Sequence, residues 1–442
     1  MTRPPRRVAG CALVASAALA AGCGGGGGSH IQLPVQRVAS RLPTIRGLRF
    51  KRVPAVSVVS KGELDKLSAD QLLARLRRLP AAQRARVRGL LHQAQAAAEV
   101  PVLLGLVPPH PTRSAVEKAA QLEGVYEPTT NHIYLIREQL GNDPRVIETI
   151  LAHELTHALD VQNLGPDRFD FHRPLMEAAD ADRSVREGSA VLSQARYAIR
   201  YLSAIGPVSF YLDHWFSVPG GSRLARVVGK ELTFVYVAGP RFVYALYRRG
   251  GWPLVNRALR NPPKTTASIL FPQRWPAHDV SRPPVGDPSP AFGGGWTRVL
   301  AGDMDDFSTD ELFSQTGPGS AVKAILRDWM GGRLSLWHRR GVSVAAGAPD
   351  RRNAAAVLQW RWRAPSDSGA ATAAIATYLM RTFSARPAGR GAWQWPGGAA
   401  ASLSAGDTTA LVLAPNAALA HAAAAAAVRA RSPLSASGSP SR

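Results

Sequence analysis

His153-Glu154-Leu155-Thr156-His157 places two imidazoles and a carboxylate within one and a half helical turns. Residues four apart lie one above the other on a helix face, so both rings can reach a single metal ion. Glu154 is turned by about 100° from His153 and is left to take a proton from water beside that metal. Zinc with three protein ligands and an open fourth position is a hydrolytic centre, so a third ligand is needed. The H-E-x-x-H-x-x-G-x-x-H pattern is excluded, because Asp160 stands where its glycine would fall and Asn163 where its third histidine would. A carboxylate on a following helix is the other solution. Glu187 is the first choice: the small residues Gly188, Ser189 and Ala190 after it would let its helix approach the histidine helix. Glu177, twenty positions after His157, is the alternative, and ligand chemistry alone does not separate the two.

These residues need elements to hold them. Residues 146–159 read as an amphipathic helix with Ile147, Leu151, Leu155 and Leu159 on its apolar stripe. Asn142-Asp143-Pro144 supplies its start signal. A second helical pattern runs over 175–202. Upstream, 53–59 reads as a strand, and 62–79 and 81–98 as helices split by Pro80. Residues 102–107 read as a short strand or loop, and 126–136 as a hairpin leading into the histidine helix. Downstream, 231–249 is helical in period with a break at Gly239-Pro240, and Gly250-Gly251 ends it. Residues 252–259 form another short helix, and Thr265 can cap a turn before Ile269.

Residues 277–296 are rich in Pro and Gly and read as a linker. An acidic stretch from Asp303 to Glu311 follows and reads as solvated surface. Beyond it, helices at 320–330 and 370–383 alternate with strands at 332–337, 342–346, 355–362 and 408–413. That pattern is an α+β module with no ligand cluster. Residues 417–431 form an Ala-rich helix, and 432–442 a disordered tail.

With the ligand candidates, the flanking runs resemble the gluzincin branch of zinc metallopeptidases. More closely, they resemble a group of bacterial neutral zinc metallopeptidase lipoproteins. The likeness rests on His153-Glu154-Leu155-Thr156-His157-Ala158-Leu159, Glu187-Gly188-Ser189-Ala190, Gly250-Gly251-Trp252, Pro262-Pro263 and Ile269-Leu270-Phe271-Pro272. It covers roughly 46–340. It implies an α+β fold: a zincin-like catalytic domain over 46–276, mostly helical with a small sheet and an edge hairpin, followed by the C-terminal α+β module over 297–431. It implies Zn²⁺ held by His153, His157 and Glu187, with Glu154 as general base for hydrolysis of peptide bonds in a peptide or protein substrate. It also implies that His132 to Ile136 is the edge on which extended substrate pairs. An oxyanion stabiliser is required, and Tyr197, Tyr201, His172 and His214 are the candidates. The group usually carries D-Q shortly after H-A-L. Here the run is Asp160-Val161-Gln162, which leaves the hydrogen-bond partner of the zinc histidines open. The alternative is a surface lipoprotein with a zinc-stabilised scaffold, a binding role and little catalysis.

The first residues add an address. Arg3, Arg6 and Arg7 precede an apolar stretch over 8–21, too short to span a bilayer comfortably. Leu19-Ala20-Ala21-Gly22-Cys23 resembles a bacterial lipoprotein cleavage box. On that reading 1–22 is a signal peptide and Cys23 carries lipid. Residues 23–45 are then a flexible tether, and the protein sits on the outer face of the bacterial cell membrane. Neither of the two cysteines is left for a disulfide. The net charge is +23 over 442 residues, and only seven of the 54 basic side chains are Lys. The charges are scattered without a nucleic-acid motif, so the expected partners are anionic envelope polymers or lipid heads and not nucleic acid.

Overall fold

The computed structural model describes residues 33–78, 80–108, 124–166, 177–202, 234–304, 306–314, 316, 319–342 and 350–429. The chain is a mixture of helix and sheet compatible with an α+β class. The signal peptide, Cys23 and the C-terminal tail lie outside the described residues, as do His172, His214 and most of the strand expected at 342–346. No helix among the described residues is long and apolar enough to cross a membrane.

The first element corrects the sequence reading. Most of the second half of the expected tether is a helix, α1 (Val35–Arg46), with Val38, Ala39, Leu42 and Ile45 buried. Those residues recur at helical spacing, and each fully buried aliphatic side chain contributes roughly 1.5–3 kcal/mol, enough to order a short segment that has a core to pack on. That core is supplied by the strands and the histidine helix. Strand β1 (Ala55–Val59) is followed by helices α2 (Lys61–Arg78) and α3 (Ala81–Leu103), then by β2 (Gly124–Glu127) and β3 (His132–Ile136). The three-stranded sheet has the order β1-β3-β2, with β1 parallel and β2 antiparallel to β3. The hairpin is therefore as expected, but its second strand is central and not an edge. β1 takes the hydrogen-bonding groups that a substrate strand would have needed. Among the described residues the edge beside the site belongs to β2.

Helix α4 (Pro144–Leu164) begins where the start signal placed it, with the Asp143 carboxylate accepting from the Arg145 N–H at 2.8 Å. Ile147, Leu151, Leu155 and Leu159 are all buried, facing Ile133 and Leu135 of the sheet. Helix α5 (Glu177–Tyr201) lies against α4. A π-helical turn at Phe234–Ala238 leads into α6 (Gly239–Arg260), which kinks at Gly250-Gly251. Short α7 (Thr266–Leu270) is capped by Thr265, as expected.

The C-terminal module is a seven-stranded antiparallel sheet of order β4-β5-β6-β10-β9-β8-β7. In chain order it runs β4 (Trp296–Met304), α8 (Asp306–Phe313), α9 (Gly319–Arg327), β5 (Trp329–Arg339) and β6 (Ala354–Trp362). It continues through α10 (Asp367–Phe383), β7 (Arg386–Pro387), β8 (Ala392–Trp395), β9 (Gly398–Ala405), β10 (Thr408–Ala414) and α11 (Ala417–Val428). One face packs Trp329, Trp360 and Trp362 with Phe313 and Tyr378. On the other, Ala401, Ala410 and Val412 receive the alanines of α11. Two boundaries move. The end of α3 and the turn after it, from Val100 to Val107, pack in this module's core and not in the N-terminal one. Arg351 donates to the Val102 and Leu103 carbonyls there. The expected linker is also packed: Phe292 stacks on Trp337 with centroids 4.2 Å apart. Gln359 donates to the Gly286 and Ala427 carbonyls at 3.0 and 2.8 Å. Gly286 serves close backbone approach there, since an added Cβ would sit 1.8 Å from the Ala427 carbonyl oxygen.

Candidate metal centre

Helices α4 and α5 run antiparallel, and four side-chain pairs tie them together in register. Tyr197 donates to Glu148 at 2.5 Å. Gln194 meets His153 at 3.3 Å through Oε1 and Nδ1. Glu187 faces His153 and His157, and Ser189 donates to Asp160 at 2.7 Å. The site thus lies between two polar clasps, at Glu148 and at Asp160.

Nε2 of His153 and Nε2 of His157 are 3.1 Å apart, and Glu187 Oε2 is 3.2 and 3.4 Å from them. Among the described residues these three form the one group of His, Cys, Asp or Glu side chains whose donor atoms converge closely enough for a metal ion. Three lone-pair-bearing atoms at such separations repel one another unless protons or a cation lie between them. Ligands about 2.0–2.1 Å from a tetrahedral ion would be separated by about 3.3 Å, so the spacing fits. The donor set also fits, since two imidazoles and a carboxylate suit zinc. Burial raises the Glu187 carboxyl's pKa. The charges and hydrogen bonds of His157 and His153 outweigh that and hold it well below the usual carboxylate range, so it stays ionised.

Glu177 is elsewhere. Its carboxylate accepts from the Thr266 N–H at 2.9 Å and faces the Thr266 hydroxyl at 3.2 Å, satisfying the first turn of α7. Glu154 is buried at 6% exposure, and strand β2 runs directly over it. A Cβ built on Gly124 would come within 2.8 Å of the Glu154 carboxyl group. A larger residue at 124 would have to displace that carboxyl group. The small residues after Glu187 divide their work in a way the sequence did not suggest. Gly188 faces α6, where an added Cβ would sit 2.5 Å from the Gly239 carbonyl oxygen. Ser189 faces α4.

The tyrosines expected to serve an oxyanion are occupied otherwise. Tyr197 is buried and donates to Glu148; burial and that bond raise its phenol pKa. Tyr201 shares a 2.8 Å hydrogen bond with Thr44 of α1. Both point at the N-terminal helix and away from the ligand cluster. Sequence reasoning missed Tyr236, which is buried on the π-helical turn. Burial, then the negative charge of Glu187, and further that of Glu154, push its phenol well above the ordinary range, against the opposing pull of Arg183. Its phenol thus lies within the electrostatic reach of both carboxylates and also hydrogen-bonds Arg183. Gln194 was also missed, although it lies seven residues, two helical turns, from Glu187 and so on the same face.

Helix α1 completes both clasps. Arg37 and Arg41 pair with Glu148 at 2.8 and 3.1 Å. Arg46, fully buried, pairs with Asp160 at 2.8 Å, and its guanidinium lies 4.2 Å from the centre of the Trp252 ring. Asp160 is thus held by Arg46 and Ser189, while Gln162 bonds the backbone at 51 and 52. Neither residue of that Asp-x-Gln run serves the histidines; Gln194 takes that place for His153. Comparison with known proteins returns no matching family profile, no matching curated protein and no matching solved structure.

Proposed function

We propose that this protein is a zinc-dependent peptidase of the gluzincin type, with a zincin-like catalytic region, exported and held at the outer face of the bacterial cell membrane by lipid on Cys23. The observation that carries the reading is the convergence of His153, His157 and Glu187 at ligand spacing beside a buried Glu154 that is covered by a strand edge. A purely structural metal site has no use for a carboxylate in that position.

His153, His157 and Glu187 would hold the ion. Bound zinc supplies a Lewis acid and a water activated near neutral pH. Glu154 would serve as the general base, taking a proton at its carboxylate and giving it to the nitrogen of the leaving amine. Gln194 fixes the ring orientation of His153 through Nδ1, which sets Nε2 toward the ligand position. The neutral Tyr236 phenol donates to the oxyanion that develops on the substrate carbonyl. Strand β2 offers its edge to an extended peptide, with Gly124 bringing the scissile bond over Glu154.

The test is cleavage of a mixed peptide library by the purified chain, with and without a metal chelator, for wild type and Glu154→Gln. The reading expects cleavage that is lost with chelator, restored by zinc and reduced at least a hundredfold in the variant, in line with the loss of a general base. Full zinc occupancy without chelator-sensitive cleavage would favour the scaffold reading instead.

A further inference from the structure

Helix α1, helix α6 and the half of α5 after Glu187 contain no aspartate or glutamate. They are adjacent. α1 meets α5 through Thr44 and Tyr201, and α5 meets α6 through Gly188 and Gly239. Arginines crowd on their outer side. Arg41 and Arg200 lie 4.7 and 5.6 Å from the centre of the same Tyr201 ring, and Arg196 lies 4.9 Å from that of Tyr247. Arg241, Tyr244, Tyr247 and Arg248 follow at three- and four-residue spacing on one stripe of α6. Arg196, Arg200, Arg241 and Arg248 are exposed, and none has a carboxylate partner among the described residues. Glu148 of α4, beside Arg41, is buried and already shared by Arg37, Arg41 and Tyr197.

Cations brought together without an anion repel one another, and the face is not only charged. Ile199, on the turn that carries Arg196 and Arg200, is 65% exposed, and Tyr244 is 54% exposed. Arginine interleaved with exposed tyrosine and an aliphatic side chain is the composition of a surface that lies against lipid headgroups.

We propose that this face docks on the anionic headgroups of the membrane to which the protein is tethered. The inference deepens the export reading and rests on it. Val35, the first residue of α1, lies twelve positions after Cys23, a stretch that spans at most about 40 Å when fully extended. A lipid on Cys23 therefore keeps α1, and with it the arginine face, within reach of the bilayer. Docking there fixes how the metal centre faces the membrane and makes the protein's position depend on lipid charge.

Vesicle co-sedimentation of the full chain tests this, with neutral phosphatidylcholine vesicles and with vesicles carrying about a third phosphatidylglycerol. The variant replaces Arg196, Arg200, Arg241 and Arg248 with Gln. A control replaces Arg339, Arg340, Arg386 and Arg390, exposed arginines of the C-terminal module. The leader adds equally to every chain, so ratios between them isolate the face. We expect preference for anionic vesicles, weakened about fivefold per arginine removed from the face, and little change in the control. Ile199→Ser should weaken vesicle binding further and leave binding to a soluble polyphosphate unaltered. Equal loss in face and control variants would reduce the effect to net charge and overturn the proposal. So would undiminished vesicle binding by the face variant, or an Ile199→Ser chain that binds as wild type does. Zinc content of each chain separates these outcomes from failure of the metal centre, and mass analysis of Cys23 separates them from failure of the lipid anchor.

Discussion

The two halves of this molecule bury different things. The C-terminal sheet buries tryptophan and alanine: Trp329, Trp360 and Trp362 on one face, the alanines of β9, β10 and α11 on the other. Its buried polar groups, such as Gln359 and Thr409, are neutral and bonded to the backbone or to Trp362. The N-terminal helices bury charge. Glu148, Glu154, Asp160, Glu177 and Asp182 are all under 9% exposed, and Arg46 is fully buried. Buried charges are costly unless paired. A fold that keeps five carboxylates under cover spends stability on the arrangement. Among the described residues the sheet module buries no carboxylate of its own, Glu99 of α3 pairing with His338 at its surface at 2.9 Å, and no chemistry is assigned to it. In α4 the buried charges of Glu148 and Asp160 flank the His153, His157 and Glu187 cluster on either side. The sheet is a packing unit that also secures the end of α3.

The comparison can be broken by damaging each half. Trp360→Ala should cost about 3–5 kcal/mol by leaving a large cavity, while the metal affinity of the still-folded fraction stays unchanged. Arg46→Ala should cost a similar 3–5 kcal/mol by stranding Asp160 without its cation, and here metal affinity should fall as well, because one clasp of α4 on α5 is lost. Denaturant unfolding together with zinc titration reads both quantities. Metal affinity that responds to both variants, or to neither, would erase the distinction between the halves.

Two smaller effects sharpen it. Gln194→Leu should lower metal affinity by about 10- to 100-fold with little change in stability, the usual effect of removing a partner of a ligating histidine; competition with a chromophoric chelator measures it. Asp143→Ala should cost about 1 kcal/mol as a lost helix cap. The hydrogen bonds from Arg145 hold the Asp143 carboxyl below its ordinary pKa. Its contribution is therefore present above the ordinary carboxylate range and is lost as pH falls through the lower folded value. The variant should differ from wild type at neutral pH and converge with it in acid. The pair is exposed, which keeps the effect small.

Much of the site was legible because it is local. Two histidines four apart, a capped start and an apolar stripe are properties of one helix, and α4 follows them. The choice between Glu187 and Glu177 was not local. Both sit on α5, and only the contact of α7 with Glu177 removes it from the ligand set. Tyr197 and Tyr201 were oxyanion candidates by residue type and helix alone; in the fold their hydroxyls have partners on α4 and α1. The apolar spacing of Val35, Val38, Leu42 and Ile45 was present in the sequence, masked by the glycine run before it and by Pro43 within it. Strand β9, Gly-Ala-Ala-Ala-Ser-Leu-Ser-Ala, has weak strand propensity and forms because β8 and β10 flank it. Tyr236 owes its place to a π-helical turn, which no residue periodicity announces.

The central claim is that His153, His157 and Glu187 form one metal site that Glu154 serves without binding the ion. Metal analysis of the purified chain and of His153→Ala, Glu187→Ala, Glu177→Ala and Glu154→Gln tests it most directly. One zinc per chain in the wild type, in Glu177→Ala and in Glu154→Gln, with loss in His153→Ala and Glu187→Ala, is the predicted result. Zinc retained without Glu187, or lost without Glu177 in a chain that remains folded, would contradict it.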